Sequence, residues 1–211
     1  VLVIDDRDGE AEHDKARILE VLDATVALGP GTTSSTQTLD GISPKHLDLV
    51  VTSPGWRPSS PVLATAAAHG VPIWGEVELA WRMRAEHGAA PWLTLTGTNG
   101  KTTTVTMLEA MLTAAGQRAV AAGNVGTPII EAVLDPNPYQ VIAVELSSFQ
   151  LHWTHSLQPQ ASACLNIAPD HIDWHGSLDA YAADKGRVYA NTEVACVYNV
   201  LDERTEQLVR D

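Results

Sequence analysis

The chain predicts an α/β fold with mainly parallel sheets, arranged in two parts. Three observations predict it. Apolar, strand-like runs alternate with helical patterns along the chain, the order that builds parallel sheets. One such run, Trp92-Leu93-Thr94-Leu95, leads through a Gly/Thr-rich turn directly into a helical pattern. The 211 residues are 45% hydrophobic and 18% charged, a balance typical of globular domains and long enough for one large or two small ones.

Taken in order, residues 1–5 read as a buried strand ending in acidic residues, and residues 14–22 have helical spacing. Residues 47–52 form another strand, closed by Ser53-Pro54-Gly55. The Ala-rich stretch 61–69 is helical, with Pro61 in the first turn, where a missing N–H does no harm. Residues 72–74 are a short strand, and 76–86 an amphipathic helix. The run 86–91 reads as a linker, dividing the chain into domains 1–90 and 91–211. A second alternating series follows, with strands at 92–96, 118–122, 140–145, 161–167 and 194–198. Its helices are expected at 101–115, 127–134, 178–189 and from Glu203 onward. Because the chain opens on Val1 within a strand and closes within a helical pattern at 205–211, a piece truncated at both ends is expected.

The net charge of −13 is spread over both halves, with no basic stripe, so neither nucleic acid nor a membrane is an expected partner. No apolar run approaches the ~20 residues of a spanning helix, and no signal pattern opens the chain. Cys164 and Cys196 both sit in apolar runs and read as buried free thiols, in keeping with a reducing, cytoplasmic setting.

In open α/β sheets ligands gather at the carboxyl ends of the strands. After 92–96 comes Gly97-Thr98-Asn99-Gly100-Lys101-Thr102-Thr103, a variant phosphate loop with Leu95 where the common pattern has its first Gly. Backbone N–H groups at the following helix start favour an anion, Lys101 can reach phosphates, and the Thr102 hydroxyl suits Mg²⁺. A second Gly-flanked turn, Gly123-Asn124-Val125-Gly126, reads equally as an anion cradle or a plain turn. Glu145 ends the next strand and is placed to bind the nucleotide's Mg²⁺. His171 is a candidate metal or substrate contact. Paired with His175, four residues on, it lacks the further ligands of a zinc site. His152, His155 and His175 read as surface or loop residues, and Lys185 alone as a solvated helix lysine.

Together these landmarks resemble the Mur ligases, the ATP-dependent amide-forming enzymes of peptidoglycan assembly. The resemblance rests on the loop 97–103, Glu145-Leu146-Ser147-Ser148-Phe149-Gln150-Leu151, Asn166-Ile167, Asp170-His171-Ile172-Asp173, Tyr181 with Lys185, and Ser53-Pro54-Gly55. The run 145–151 resembles the branch that adds D-glutamate to UDP-N-acetylmuramoyl-L-alanine. What it implies is a partial Rossmann-like N-terminal domain that grips UDP and a truncated P-loop central domain that binds ATP. It also implies uridine contacts from Asp5, Asp6 and Arg7, although Asp6 stands where the family commonly has Thr, and backbone approach to the nucleotide at Gly55. Further implied roles are phosphate binding by Gly97, Thr98, Asn99, Gly100, Lys101, Thr102 and Thr103, and a first Mg²⁺ on Thr102 and Glu145. A second Mg²⁺ falls to His171 and a carbamylated Lys185, and muramoyl-substrate contacts to Asn124, Ser147 and Gln150. Lys101, Glu145, His171 and Lys185 form the implied catalytic set, in a monomer acting on small molecules. The reaction would run through an acyl phosphate, and a piece of such an enzyme is expected not to turn over alone.

Other readings stay open at this point: a different Mur ligase or a folylpolyglutamate synthase-type ligase, a P-loop small-molecule kinase, or a non-catalytic nucleotide-binding module.

Overall fold

A computed structural model describes residues 1–34 and 47–210. Two compact units emerge: Val1–Val50 with Trp56–Ile73, and Val51–Gly55 with Trp74–Asp211.

In the first unit, β1 (Leu2–Asp5) lies parallel to β2 (Thr25–Leu28), joined by α1 (Glu10–Val21), and α2 (Pro61–Ala68) follows later. The strand β2 is absent from the sequence-based expectation, and α1 starts four residues before it. Gly9 opens that helix in extended geometry, and Glu10 and Glu12 place negative charge at its positive end. Further along, β3 (Val50–Thr52) pairs with β4 (Ile73–Gly75).

The second unit is built on five parallel strands: β5 (Trp92–Thr96), β6 (Ala119–Gly123), β7 (Val141–Glu145), β8 (Ala161–Cys164) and β9 (Ala195–Tyr198). They lie in the order β6-β7-β5-β8-β9. The first strand of the series is therefore central, and the chain crosses over it between β7 and β8. Such a reversal opens a crevice at the carboxyl ends of the strands. The central strand and β7 are buried almost throughout because both of their faces are covered, and β7 is apolar up to Glu145.

On one face α4 (Lys101–Ala114) packs Val105 and Leu108 against Leu95 and Ala143. The other face holds the larger core, where Trp92, Ile142, Val144, Leu146 and Leu151 meet α3 (Glu76–Met83) and α5 (Ile129–Val133). Trp81 meets Trp92 edge-on at 5.0 Å. The expected helix over 178–189 resolves into α8 (Leu178–Gly186) and a tight 3₁₀ turn, Arg187–Tyr189. Two short helices were not expected, α6 (Ser148–His152) and α7 (Ile172–His175). A last helix, α9, covers Glu203–Arg210, and Asp211, the end of the expected pattern, lies outside the described residues.

Cys164 is a buried thiol, and burial pushes it up to about 11. Cys196 corrects the expectation of a second buried thiol: it is exposed, because β9 is an edge strand with all four residues exposed. Among the described residues, no helix is long and apolar enough to cross a membrane.

Candidate active site

The end of β5 sets the position of everything else. Gly100 adopts a left-handed conformation (φ 82°) and opens α4. Lys101 follows it and folds back, donating from Nζ to the carbonyls of Gly97 (3.0 Å) and Thr98 (3.1 Å). A Cβ on Gly97 would come within 3.0 Å of the Leu165 Cβ, so the loop needs glycine there to lie against the segment after β8.

That segment laces the loop in place. Asn166 Oδ1 accepts from the Asn99 amide at 2.9 Å, and its Nδ2 donates to the Asn99 carbonyl at 3.1 Å. Thr98 Oγ1 accepts from the Ala168 amide (2.9 Å) and lies 3.0 Å from the Tyr181 hydroxyl. These bonds explain why β8 stops at Cys164 although a strand to Ile167 was expected: residues 165–168 leave the ladder to hold the loop.

Glu145 ends β7, one strand over, and is 1% exposed. Its Oε2 accepts from Thr102 Oγ1 at 2.9 Å and its Oε1 from Asn124 Nδ2 at 3.0 Å. The turn carrying Asn124 is held against that strand end, since the Asn124 amide donates to the Glu145 carbonyl at 2.9 Å. Gly123 makes this possible. Its φ is 111°, and a Cβ there would stand 2.3 Å from the same carbonyl oxygen.

Lys185 corrects its reading as a solvated lysine. It is 2% exposed, and its Nζ donates to the Gly97 carbonyl at 2.9 Å and to Thr96 Oγ1 at 3.4 Å. Lys101 and Lys185 thus share one carbonyl. Burial, reinforced by the Lys101 charge, pulls Lys185 down to about 8. The Tyr181 ring lies under its ammonium, 4.8 Å from the centroid. His171 caps α7 in a left-handed conformation (φ 49°) and leans on Phe149, 4.7 Å between ring centroids.

Ser147 and Gln150 are engaged locally. They form a capping box at the start of α6, with the Ser147 amide on Gln150 Oε1 (2.9 Å) and the Gln150 amide on Ser147 Oγ (3.2 Å). His175 corrects its reading as a surface residue: its side chain is fully buried, between Asp184 and Ser148. Sequence reading attached no role to Asn166, Tyr181 or Asp184. Asn166 and Tyr181 were visible only as parts of motifs, and Asp184 carried no signal at all.

In the first unit, Asp5 accepts from the Arg7 amide (2.9 Å) and from Arg7 Nη2 (2.8 Å), which holds its carboxyl below the usual range. Asp6 Oδ1 accepts from the Thr33 amide at 2.8 Å, which lowers its carboxyl likewise. Gly55, in the second unit, accepts from Trp174 Nε1 at 3.0 Å, and a Cβ on it would meet open space.

The donor set can be tested against Mg²⁺. Glu145 is a buried carboxylate whose oxygens are each held by a neutral donor, Thr102 and Asn124, so a cation would compensate its charge. Hard oxygen donors suit Mg²⁺, which keeps waters and phosphate oxygens as further ligands. Among the described residues no three His, Cys, Asp or Glu side chains converge as a protein-made metal cage. The residues at Glu145 and Thr102 therefore fit Mg²⁺ shared with a phosphate. Lys185, as an ammonium, does not.

A doubly covered parallel sheet, with a Gly/Thr-rich loop on its central strand and a buried acid on the neighbour, is the architecture of the P-loop class of proteins. Residues 95–211 match the family model of the Mur ligase middle domain. The chain belongs to the Mur ligase family. It is 55% identical, over 100% of its length, to the UDP-N-acetylmuramoylalanine–D-glutamate ligase of Streptomyces avermitilis, and covers 43% of that protein. Against the ligase of the same name from Thermobifida fusca it is 52% identical, over 99% of this chain and 43% of the relative. The chain thus spans less than half the length of these relatives. Among solved structures, it is similar to the UDP-N-acetylmuramate:L-alanyl-gamma-D-glutamyl-meso-diaminopimelate ligase of Neisseria meningitides. The TM-score is 0.56 at 20% identity, covering 100% of this chain and 66% of that one. It is also similar to MurF ligase from Thermotoga maritima in complex with ADP, with a TM-score of 0.53 at 15% identity over 80% of this chain and 47% of that one. At these identities the likeness is one of fold.

Proposed function

We propose that the chain forms the nucleotide-handling part of a cytoplasmic, monomeric ligase of peptidoglycan precursor synthesis. That ligase uses ATP to add D-glutamate to UDP-N-acetylmuramoyl-L-alanine. The observation that carries the reading is the convergence of Lys101, the Thr102–Glu145 pair and Lys185 on one loop at the end of the central strand. The names borne by the relatives at 52–55% identity support the branch and its substrates.

In this reading labour divides at the 86–91 linker: residues 1–90 bind UDP and 91–211 bind ATP. That division concerns function, since α3 packs with the five-stranded unit. Asp5, Asp6 and Arg7 contact the uridine, and Gly55 lets backbone approach the nucleotide. The loop Gly97–Thr103 cradles the ATP phosphates, with Lys101 swinging from the Gly97 and Thr98 carbonyls onto them. Thr102 and Glu145 would hold one Mg²⁺, and His171 and Lys185 a second. Lys185 would serve after its neutral amine adds CO₂ and releases a proton to solvent, which replaces an ammonium with carbamate oxygens, and its lowered proton affinity favours that addition. Asn124, Ser147 and Gln150 face the muramoyl substrate.

The substrate carboxylate attacks the γ-phosphorus, ADP leaves, and an acyl phosphate forms. The glutamate amine then attacks that carbonyl, and phosphate departs. Two anions must meet in the first step. Mg²⁺, when bound, would supply charge neutralisation and alignment there. Lys101, once swung onto the phosphates, adds positive charge there, and the loop backbone, held by Asn166, gives the γ-phosphate a positioned cradle.

Calorimetric titration tests the reading. Mg·ADP should bind this chain, and Lys101→Ala should weaken it by about 10- to 100-fold, the worth of a charge-assisted contact. UDP-N-acetylmuramoyl-L-alanine should bind more tightly than the form without alanine. Nucleotide binding indifferent to Lys101, or no preference for the alanyl substrate, would overturn it.

A further inference from the structure

Three of the residues assigned above to the cations, Glu145, His171 and Lys185, lie close in sequence to one side-chain network that joins α6, α7 and α8. Glu145 ends β7, three residues before Ser148, the first residue of α6. His171 opens α7, and His175 closes it. Lys185 lies in α8, directly after Asp184. His175 Nδ1 stands 2.9 Å from Asp184 Oδ2, and its Nε2 stands 3.0 Å from Ser148 Oγ. His152 Nδ1 lies 3.0 Å from both oxygens of the same carboxylate. With the His175 proton on Nδ1, the ring donates to Asp184 and accepts from the Ser148 hydroxyl, so every polar atom of the trio is satisfied.

The network reaches His171 through Phe149. That ring stacks on His175, with centroids 5.5 Å apart and planes 11° from parallel, and it also meets the His171 ring at 4.7 Å. Tyr181 stands edge-on to His175 at 5.2 Å and bonds to Thr98 of the loop. The helix α7 is a single turn between two left-handed residues, His171 (φ 49°) and Gly176 (φ 86°). One turn of helix does not hold itself together, so its placement must come from side-chain anchors. His175, with its side chain fully buried, is such an anchor.

We infer that Ser148, His175 and Asp184 act as positioning residues, a buried clamp that holds His171 and Lys185 in register with Glu145. The inference rests on the reading of the site given above. Serine, histidine and aspartate in this order also form the relay of hydrolytic enzymes. Here Ser148 is 1% exposed at a helix start, so no substrate carbonyl reaches its Oγ. The arrangement orients and does not attack. The loop 97–102 has its own anchors in Asn166 and β5, so loss of the clamp should weaken the cation site and spare the phosphate cradle.

The test uses the full 211-residue chain, ADP, and Mn²⁺ as the paramagnetic probe. In the wild type, Mn²⁺ with ADP should broaden the His171 ring resonances. His175→Phe keeps a ring of similar size and deletes both hydrogen bonds. It should lower Mn²⁺ affinity by about tenfold or more, the usual effect of losing a ligand's supporting contact. The His171 broadening should fall with it, while ADP affinity measured without divalent ions stays within about twofold. Should that variant fail to fold, Ser148→Ala deletes one bond only and should give a smaller loss, restored by Ser148→Thr. Variants that bind Mn²⁺ beside His171 as the wild type does overturn the clamp alone. A wild type with no ADP-dependent broadening at His171 overturns the reading of the site and the clamp with it.

Discussion

At the Lys185 ammonium, burial and the nearby Lys101 charge act in the same direction, and both favour the neutral amine. A lysine whose folded value is about 8, against 10.5 when unfolded, binds its proton less well in the native state. The unfolded chain therefore holds more protons between those values, and stability rises with pH across that window. Below pH 8 the penalty is fully present, on the order of 3 kcal/mol. Lys185→Met removes it. In CO₂-free buffer the variant should be the more stable protein at pH 7, with its advantage shrinking as pH climbs from 8 toward 10.5, as read by urea denaturation. A gap that stays constant with pH would show that Lys185 is charged in the fold at little expense. The same residue marks what the sequence made legible and what it did not. Lys101, Thr102 and Glu145 stand in short local patterns whose chemistry follows from spacing alone. By contrast, Lys185 looked like a solvated helix residue, because its burial comes from Thr96 and Gly97, nearly ninety positions away. The bonds of Asn166 to Asn99 and of Asp184 to His152 were opaque for the same reason, since those partners lie 67 and 32 residues off.

Among the elements, α3 shows how one carboxylate can bind a helix to a distant loop. Glu78 is fully buried in that helix. It accepts from the amides of His155 (2.7 Å) and Ser156 (2.8 Å), from Ser156 Oγ (2.7 Å) and from Arg82 Nε (2.6 Å). Burial by itself would push its carboxyl up, but these four donors outweigh burial and bring it down to about 2. A depressed carboxylate stabilises the fold above its unfolded value of 4.5 and loses that contribution as pH falls toward 2. Glu78→Gln should cost on the order of 3 kcal/mol at pH 7, with the difference closing below pH 4.5, measured by chemical denaturation across that range. Equal losses at pH 7 and pH 3 would mean that shape, not charge, holds this joint. Element types were readable from periodicity, and their ends much less so. The strand β8 stops early because Asn166 is recruited to the loop, and α6 and α7 are too short to display a period. His175 looked like a surface residue because nothing in one turn of helix announces its buried partners.

For the molecule as a whole, strand order decides which parts hold and which give way. The central strand is hydrogen-bonded on both sides, to β7 from Trp92 to Leu95 and to β8 from Leu93 to Thr96. The strands at the two margins, β6 and β9, each have a ladder on one side only among the described residues. Amide hydrogens on β5 can therefore reach solvent only after two ladders part, whereas those of the marginal strands need one. Exchange into heavy water should be slowest along 93–96 and earlier along β6 and β9, and mass spectrometry of peptide fragments would reveal the ranking. Fast exchange on the central strand would contradict it. The turn from Gly97 to Gly100 thus grows from the last part of the sheet to breathe, so partial denaturation that frees the margins should leave that turn still standing.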